Sequence, residues 1–316
     1  MAERRRPTFA ELPDDVRGWV EHTVGGRVVR TVAVQGGFSP GVAEALFTAG
    51  GAAGFLKAVH PGLNPDTPAL LRAEAKALAS MPSGLPIAAL IDVHDQGDDG
   101  WVALLLEHVD GRQAPLPWTP EAADAALASL VVLSAALTPA PAGEWVRAET
   151  AVRSMFTCWP ALTDCADLDP WLVDRVPWLN AAAERALSAM AGDALIHLDL
   201  RADNMMQRPD GALVIVDWAW AMLGAAWIDP VLLAIEFISS GAPGLDIDAL
   251  LTRVADQHGI GVDTAVDTLA GILGFFEAAC RRPDPPGLPT LRDFQRFQAD
   301  ALRGWLKESV LAGHLQ

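Results

Sequence analysis

The 316-residue sequence predicts an α+β fold, with an N-terminal five-stranded antiparallel sheet carrying one helix and a mostly α-helical C-terminal part. Three observations carry this. Short runs before residue 110 read as strands bounded by glycine and aspartate turns. Runs after Pro120 repeat their apolar residues near every 3.6 positions. A single β-branched hairpin near residue 210 interrupts the helical half.

The first strand is RVVRTVAVQGG, residues 27–37. Gly36, Gly37 and Gly41 bracket Phe38, Ser39 and Pro40 in a tight loop, and a second strand begins at Val42. The turn AGGAAG leads into GFLKAVH, a third strand that sets Lys57 among apolar neighbours. Glycine at the first bend would let backbone N–H groups approach a phosphate. Taken alone, though, GGFSPG is as well read as an ordinary hairpin turn, because it lacks a full G-x-G-x-x-G. The stretch LLRAEAKALASM is helical and carries Glu74. A buried lysine without a partner is costly, so Glu74 is the natural partner of Lys57; the alternative is a surface pairing with Arg72 or Lys76. AALIDVHD and GWVALLLEHV, around the turn QGDDG, complete the five strands.

Beyond Pro120 the helical runs are EAADAALASLVVLSAAL, EWVRAETAVRSMFTCW and DPWLVDRVPWLNAAAERALSAMAG. After the hairpin come DPVLLAIEFI, IDALLTRVADQHGI, VDTAVDTLAGILGFFEAACRR and LRDFQRFQADALRGWLKESVLA, with the rigid linker PDPPGLP before the last. Asp229 is read as the N-cap of its helix, with Pro230 at the first helical position.

Composition narrows the function classes. Hydrophobic residues make up 51% of the chain, yet no apolar run approaches the length of a bilayer span, and the basic N-terminus lacks the apolar core of a secretory signal. A soluble, cytoplasmic protein is expected. Cys158, Cys165 and Cys280 form no C-x-x-C pair and sit in no zinc-ligand spacing, so they read as reduced core thiols. The formal charge of -17 argues against nucleic acid or an anionic membrane as partner. It suits a cationic ligand, or simply solubility. The chain has no tyrosine, which removes tyrosine chemistry altogether.

The segment HLDLRADNMMQRPDGALVIVD, residues 197–217, concentrates the chemistry. RPDG is a turn, so NMMQ and LVIVD pair as antiparallel strands, and Asp199, Asn204 and Asp217 can meet at one end. Phosphoryl transfer needs a carboxylate to take the proton of the attacking hydroxyl, and an amide and a second carboxylate to hold Mg²⁺ on the phosphates. H-x-D-x-x-x-x-N followed by a strand ending in Asp supplies all three. Separately, Asp199 could merely cap a turn and Asp217 merely end a strand.

On these residues the chain resembles the aminoglycoside phosphotransferase family of small-molecule kinases, as a divergent member. The resemblance implies a two-lobed protein-kinase-like fold, with an N-terminal nucleotide-binding lobe at 1–106, a hinge at 107–111 and a helical lobe at 112–316. It makes Asp199 the catalytic base, Asn204 and Asp217 the Mg²⁺ ligands, and His197 a brace of the catalytic loop. Lys57 and Glu74 become the pair that steers the nucleotide phosphates, with Phe38 and Ser39 in the loop above them. Glu107 to Val109 become the hinge whose main chain reads adenine. The family wording is close to H-G-D-L-H-P-G-N followed by I-D-W. This chain keeps His197, Asp199, Leu200, Asn204, Asp217 and Trp218, but has Leu198 for the glycine, Arg201 for the second histidine, and Ala202 and Asp203 for the proline and glycine. Arg201 is expected to aim a positive charge at the transferred phosphate, or else to pair with Asp203 at the surface. An aspartate near Asp229 braces the catalytic loop in the family.

Between Asp217 and Asp229 the run WAWAMLGAAWI holds no serine, threonine or tyrosine, and Leu198 stands where protein kinases carry a regulatory arginine. No phosphorylation switch is left. The implied activity is ATP-dependent transfer (GTP being a possible donor), with Mg²⁺, to a hydroxyl of a small molecule, by a monomer or homodimer. Antibiotic inactivation is the first reading, with an aminoglycoside, nucleoside or macrolide as acceptor. A metabolic kinase of the choline, homoserine or amino-sugar type is the second, and a nucleotide-binding pseudokinase the third. Asp246, Asp248, Asp256, Asp263 and Glu277 are the acidic side chains available to a cationic acceptor, each also readable as a cap or a solvated face.

Overall fold

The computed structural model describes residues 6–34, 37, 39–114 and 116–311. The chain divides into two compact units. The first holds residues up to 114 together with 203–221 and 284–289; the second holds the rest. This differs from a linear division at the hinge, because the 205–215 hairpin and the proline-rich linker belong with the N-terminal residues.

The first unit is built on helix α1 (Asp14–Thr23), strands β1 (Val28–Ala33), β2 (Val42–Thr48) and β3 (Ala53–Val59), helix α2 (Thr67–Ser80), and strands β4 (Leu90–Asp95) and β5 (Val102–Leu106). The sheet is antiparallel throughout, in the order β1-β2-β3-β5-β4. All five residues of β5 are buried. Val16 and Val20, one turn apart on α1, pack with Phe9, Leu46, Leu56 and Leu105 into one core. Helix α1 was not among the expected elements, although its apolar i, i+4 pair is the mark of a helix laid on a sheet. Buried Glu44 on β2 accepts the Phe9 amide at 3.0 Å and fastens the segment before α1 to the sheet. At Gly41 the strands come so close that an added Cβ would lie 2.2 Å from the Ala58 carbonyl oxygen. That contact alone requires the glycine.

The unit closes with β6 (Arg112–Gln113), which pairs with β8 (Met205–Gln207), which pairs with β9 (Leu213–Ile215). Buried Asn64 precedes α2; its Oδ1 accepts from the Asp66 and Thr67 amides and the Thr67 hydroxyl, while its Nδ2 donates to Pro286 in the linker.

In the second unit α3 (Pro120–Ala136) is followed by four short helices, α4 (Ala148–Ala151), α5 (Arg153–Phe156), α6 (Trp159–Leu162) and α7 (Pro170–Val173), and then by α8 (Val176–Ala189). The two long helices expected from 144 to 190 are thus broken. Pro160, Pro170 and Pro177 each lie in the first two positions of a new helix, where the missing N–H costs nothing. Strand β7 (Ala194–Ile196) pairs with β10 (Met222–Gly224). Helices α9 (Ile228–Ser239), α10 (Ile247–His258), α11 (Val262–Ala279) and α12 (Leu291–Leu311) complete the unit. Gly271 and Gly274 of α11 leave room for Phe156 and Trp159, whose ring atoms a Cβ would meet at 2.2 Å and 2.7 Å. Among the described residues no single helix is long and apolar enough to cross a membrane.

One buried charge holds α11 to α12. Glu277, 1% exposed, receives Arg281 at 2.7 Å from just beyond the end of its own helix and Arg303 at 2.7 Å from α12. Glu277→Ala would take the buried acid from both guanidiniums and leave Arg281 to Asp167, and Arg303 to Asp169 and Asp300, all of them more exposed. A loss of about 3–5 kcal/mol is expected for breaking such a buried pair, to be measured by urea unfolding.

Candidate active site

Lys57 lies in β3 with a strand on either side, opposite Ala43 of β2 and Leu104 of β5. Its ammonium donates to both Glu74 oxygens at 2.8 Å and to Asp217 Oδ1 at 2.9 Å. Glu74 comes from α2 and is 1% exposed, whereas the Asp217 side chain is 39% exposed. Burial works to discharge Lys57, but Asp217 and Glu74 more than reverse it and its pKa is raised. Burial pushes Glu74 up as well, with Asp217 adding to the effect and Lys57 opposing it. Lys57 therefore stays protonated through neutral pH. Its contribution to stability is complete below the ordinary lysine value and is lost as pH rises from there through the raised one. The surface pairing of Glu74 is set aside: Arg72 instead holds Asp95 at 2.7 Å and 2.8 Å.

The hairpin register explains how Asp217 reaches Lys57. Met205 faces Ile215, and the Val216 amide donates to the Asn204 carbonyl at 2.9 Å, so Asn204 and Asp217 leave the same end of the hairpin. Asp217 adopts left-handed φ 67° and ψ 61° and turns the chain into the 3-10 helix Trp218–Trp220. Aspartate tolerates this conformation better than most residues. Asn204 is 4% exposed. Among the described residues no three His, Cys, Asp or Glu side chains form a self-contained metal cluster. One amide and one carboxylate instead match a cation that takes its other ligands from water and phosphate.

In the second unit β7 delivers the chain to His197, which is 1% exposed and whose Nδ1 accepts the Asp199 amide at 3.2 Å. Leu198 has φ 67°, a left-handed conformation that costs a leucine about 1–2 kcal/mol. Asp229 holds it there. One carboxylate oxygen accepts the His197 amide at 2.7 Å and the other the Leu198 amide at 2.8 Å. Burial pushes the Asp229 carboxyl up, against the pull of His197 and of those two N–H groups. The N-cap reading of Asp229 is thereby corrected: Trp227 is the cap of α9, and Asp229 is the second helical residue, its carboxylate turned to the loop.

Asp199 and Arg201 pair directly, Nη1 lying 3.1 Å from each carboxylate oxygen. The guanidinium also stands 5.7 Å from the centre of the Phe294 ring. The Arg201 to Asp199 contact was not among the expected pairings of Arg201. The loop's third buried anchor was also missed: Glu236 of α9 accepts the Ala202 amide at 2.9 Å.

The remaining expected residues are spread over the first unit. Phe38 lies outside the described residues. Ser39 is half-buried, and its Oγ accepts the Gly41 amide at 3.4 Å. The Glu107 amide donates to Ala89 and its carboxylate receives Arg208 at 2.9 Å; the Val109 side chain is buried against Ala88 and Val214. The acidic candidates for a cationic acceptor are dispersed. Asp246 caps α10 by accepting the Ala249 amide, Asp248 receives Trp305 and Ser309, and Glu277 is neutralised by its two arginines. Asp256 and Asp263 are exposed.

Comparison with known proteins agrees with this geometry. A model of the APH phosphotransferase enzyme family matches residues 33–265. Among solved structures, a thermostable mutant of aminoglycoside phosphotransferase APH(4)-Ia, in ternary complex with ADP and hygromycin B, superposes with a TM-score of 0.60 at 14% identity, over 96% of this chain and 100% of that one. Choline kinase LicA from Streptococcus pneumoniae gives 0.61 at 11% identity, over 93% and 98%. Aminoglycoside-3'-phosphotransferase of type VIII gives 0.55 at 20% identity, over 83% and 98%. No curated protein matches in sequence. The family match covers most of the chain, and the fold is that of small-molecule kinases. The chain belongs to the APH phosphotransferase enzyme family and is a phosphotransferase acting on hydroxyl groups of small molecules.

Proposed function

We propose that this enzyme transfers the γ-phosphate of ATP to a hydroxyl of a small molecule, with Asp199 as general base. The observation that carries the reading is the charged Lys57 held by buried Glu74 and half-exposed Asp217. Such a lysine is fixed in place and shielded on one side only, as a phosphate ligand has to be. Solved structures of the same fold with ADP and with AMP-PNP support the nucleotide.

In this mechanism Lys57 binds the α- and β-phosphates, and the Val109 backbone offers its N–H to the adenine edge. Asn204 and Asp217 would hold Mg²⁺, which supplies neutralisation of charge on the β- and γ-phosphates when bound. Asp199 accepts the proton as the acceptor oxygen bonds to the γ-phosphorus. The bond from that phosphorus to the β,γ-bridging oxygen breaks, and ADP leaves. Arg201 moves its charge from Asp199 to the transferred group as that group's charge spreads over its outer oxygens.

For the acceptor, the proposal is an antibiotic hydroxyl, in line with the aminoglycoside phosphotransferases of the same fold. The metabolic reading has its own support. The choline kinase fits the fold equally well, and no cluster of uncommitted acids awaits a polycation among the side chains named above. Expression in a sensitive bacterium against an antibiotic panel, with mass analysis for an added phosphate, separates the two. Protection by phosphorylation supports the first reading, and growth inhibition across the whole panel supports the second.

Asp199→Asn is expected to fold and to bind MgATP normally while losing about 10²–10⁴-fold in kcat. Turnover close to that of the wild type would sink the base assignment. In Asp217→Ala, nucleotide binding followed by calorimetry should lose its dependence on Mg²⁺. Lys57→Ala leaves Glu74 buried without its cation and is expected to lower stability by about 3–5 kcal/mol. Adding Glu74→Leu should restore stability in thermal melts without restoring turnover; recovery of turnover would show that Lys57 has only a packing role.

A further inference from the structure

We infer that Glu236 is a positioning residue for the reaction, the second of two carboxylates by which α9 sets the geometry of the catalytic loop. This deepens the proposal above and rests on Asp199 being the base. Asp229 and Glu236 are seven residues apart, two helical turns and about 10 Å along the axis. They therefore share one face of α9, an otherwise apolar helix in which every residue from Pro230 to Phe237 is buried. Asp229 takes the amides of His197 and Leu198; Glu236, 8% exposed, takes the amide of Ala202. The residues between these anchors include the proposed base, Asp199, and its cation, Arg201.

Two features make the second anchor more than packing. Leu198 sits in a left-handed conformation that a leucine leaves unless both sides of it are fixed. Asp229 fixes the loop at its start and His197 Nδ1 takes the Asp199 amide, so without Glu236 the strain can relax by moving the far side of the loop, from Leu200 to Ala202, and with it the Arg201 that pairs with Asp199. Ala202 also opens the 3-10 turn Ala202–Asn204, the kind of position where proline is tolerated because no N–H is needed. An alanine there presents an N–H, and the fold answers it with a buried carboxylate. Residue 202 and residue 236 thus form one device: the amide requires the acceptor, and the acceptor locates the amide.

The test uses the full-length enzyme, two readouts and four variants. Hydrogen exchange by mass spectrometry reports the 197–204 segment, and MgATP hydrolysis with water as acceptor reports the chemistry. In Glu236→Leu, exchange at the Ala202 amide should rise at least about fivefold, the equivalent of one lost net hydrogen bond. Its kcat should fall about 10–100-fold with the KM for MgATP unchanged, since a shift of about 1 Å in a reacting group is worth up to ~10²-fold. Glu236→Gln keeps an oxygen acceptor and should stay close to wild type in both readouts. Ala202→Pro alone removes the donated N–H and should lower kcat. Ala202→Pro with Glu236→Leu loses the same bond once and should cost no more than Glu236→Leu alone. Unchanged exchange in Glu236→Leu, equal damage from Gln and Leu, or additive losses in the double variant would each overturn the inference. If Glu236→Leu fails to fold, Glu236→Gln and Ala202→Pro decide it through the same readouts. A wild-type enzyme without MgATP turnover would count against the phosphotransferase mechanism, while the exchange data would still judge the clamp.

Discussion

A buried ammonium shared by two carboxylates organises the first unit. Lys57 cannot remain charged in the middle of a five-stranded sheet unless anionic oxygens surround it, and those oxygens come from α2 and from the end of the β8–β9 hairpin. Three elements distant in sequence are thereby brought to one point. The requirement also explains why residues 203–221 fold with the N-terminal residues: the hairpin delivers one of the two charges that keep the lysine protonated. Glu74 is sealed off and Asp217 is not. Of the two, only Asp217 can turn an oxygen toward a ligand.

The catalytic loop meets the opposite condition. Its side chains must be accessible while its backbone is held out of a relaxed conformation at Leu198. Such strain persists only where neighbouring groups over-determine it. Helix α9 provides them, using two buried carboxylates to bind three backbone amides. Anionic acceptors suit the purpose because hydrogen bonds to a charged group are roughly twice as strong as neutral ones. The same local scheme thus recurs in both units: a buried acid spends its charge on a fixed donor and leaves a neighbouring polar group accessible.

Much of this was legible in the sequence. An alternating first run and the glycine and aspartate turns after it placed all five strands, and the buried lysine in GFLKAVH called for the acid that α2 supplies. The spacing of Asp199, Asn204 and Asp217 around RPDG carried the family resemblance. Other features left weaker traces. Helix α1 escaped because its apolar face amounts to two valines in a charged stretch. The helices from 144 to 190 broke because each proline begins a new turn where the 3.6-residue pattern alone continues smoothly. Glu236 had a signal that periodicity does not reward: an acid seven residues after another in the run DPVLLAIEF, where every neighbour is apolar. The pairing of Arg201 with Asp199 depends on side-chain direction within a left-handed turn, and no spacing rule encodes that.

The charge of -17 needs a different account from the one composition suggests. Acidic residues of the helical unit are consumed in specific bonds: Asp246 at a helix start, Asp248 on Trp305 and Ser309, Asp267 on Arg185 and Glu277 on two arginines. Each of these is a local structural use, and none depends on a ligand. Net charge can steer a cationic molecule toward a surface, but selecting it requires carboxylates left uncommitted at the place where it binds. The Asp199 carboxylate itself is paired with the Arg201 guanidinium. The acidity of the chain as a whole therefore says little about its substrate.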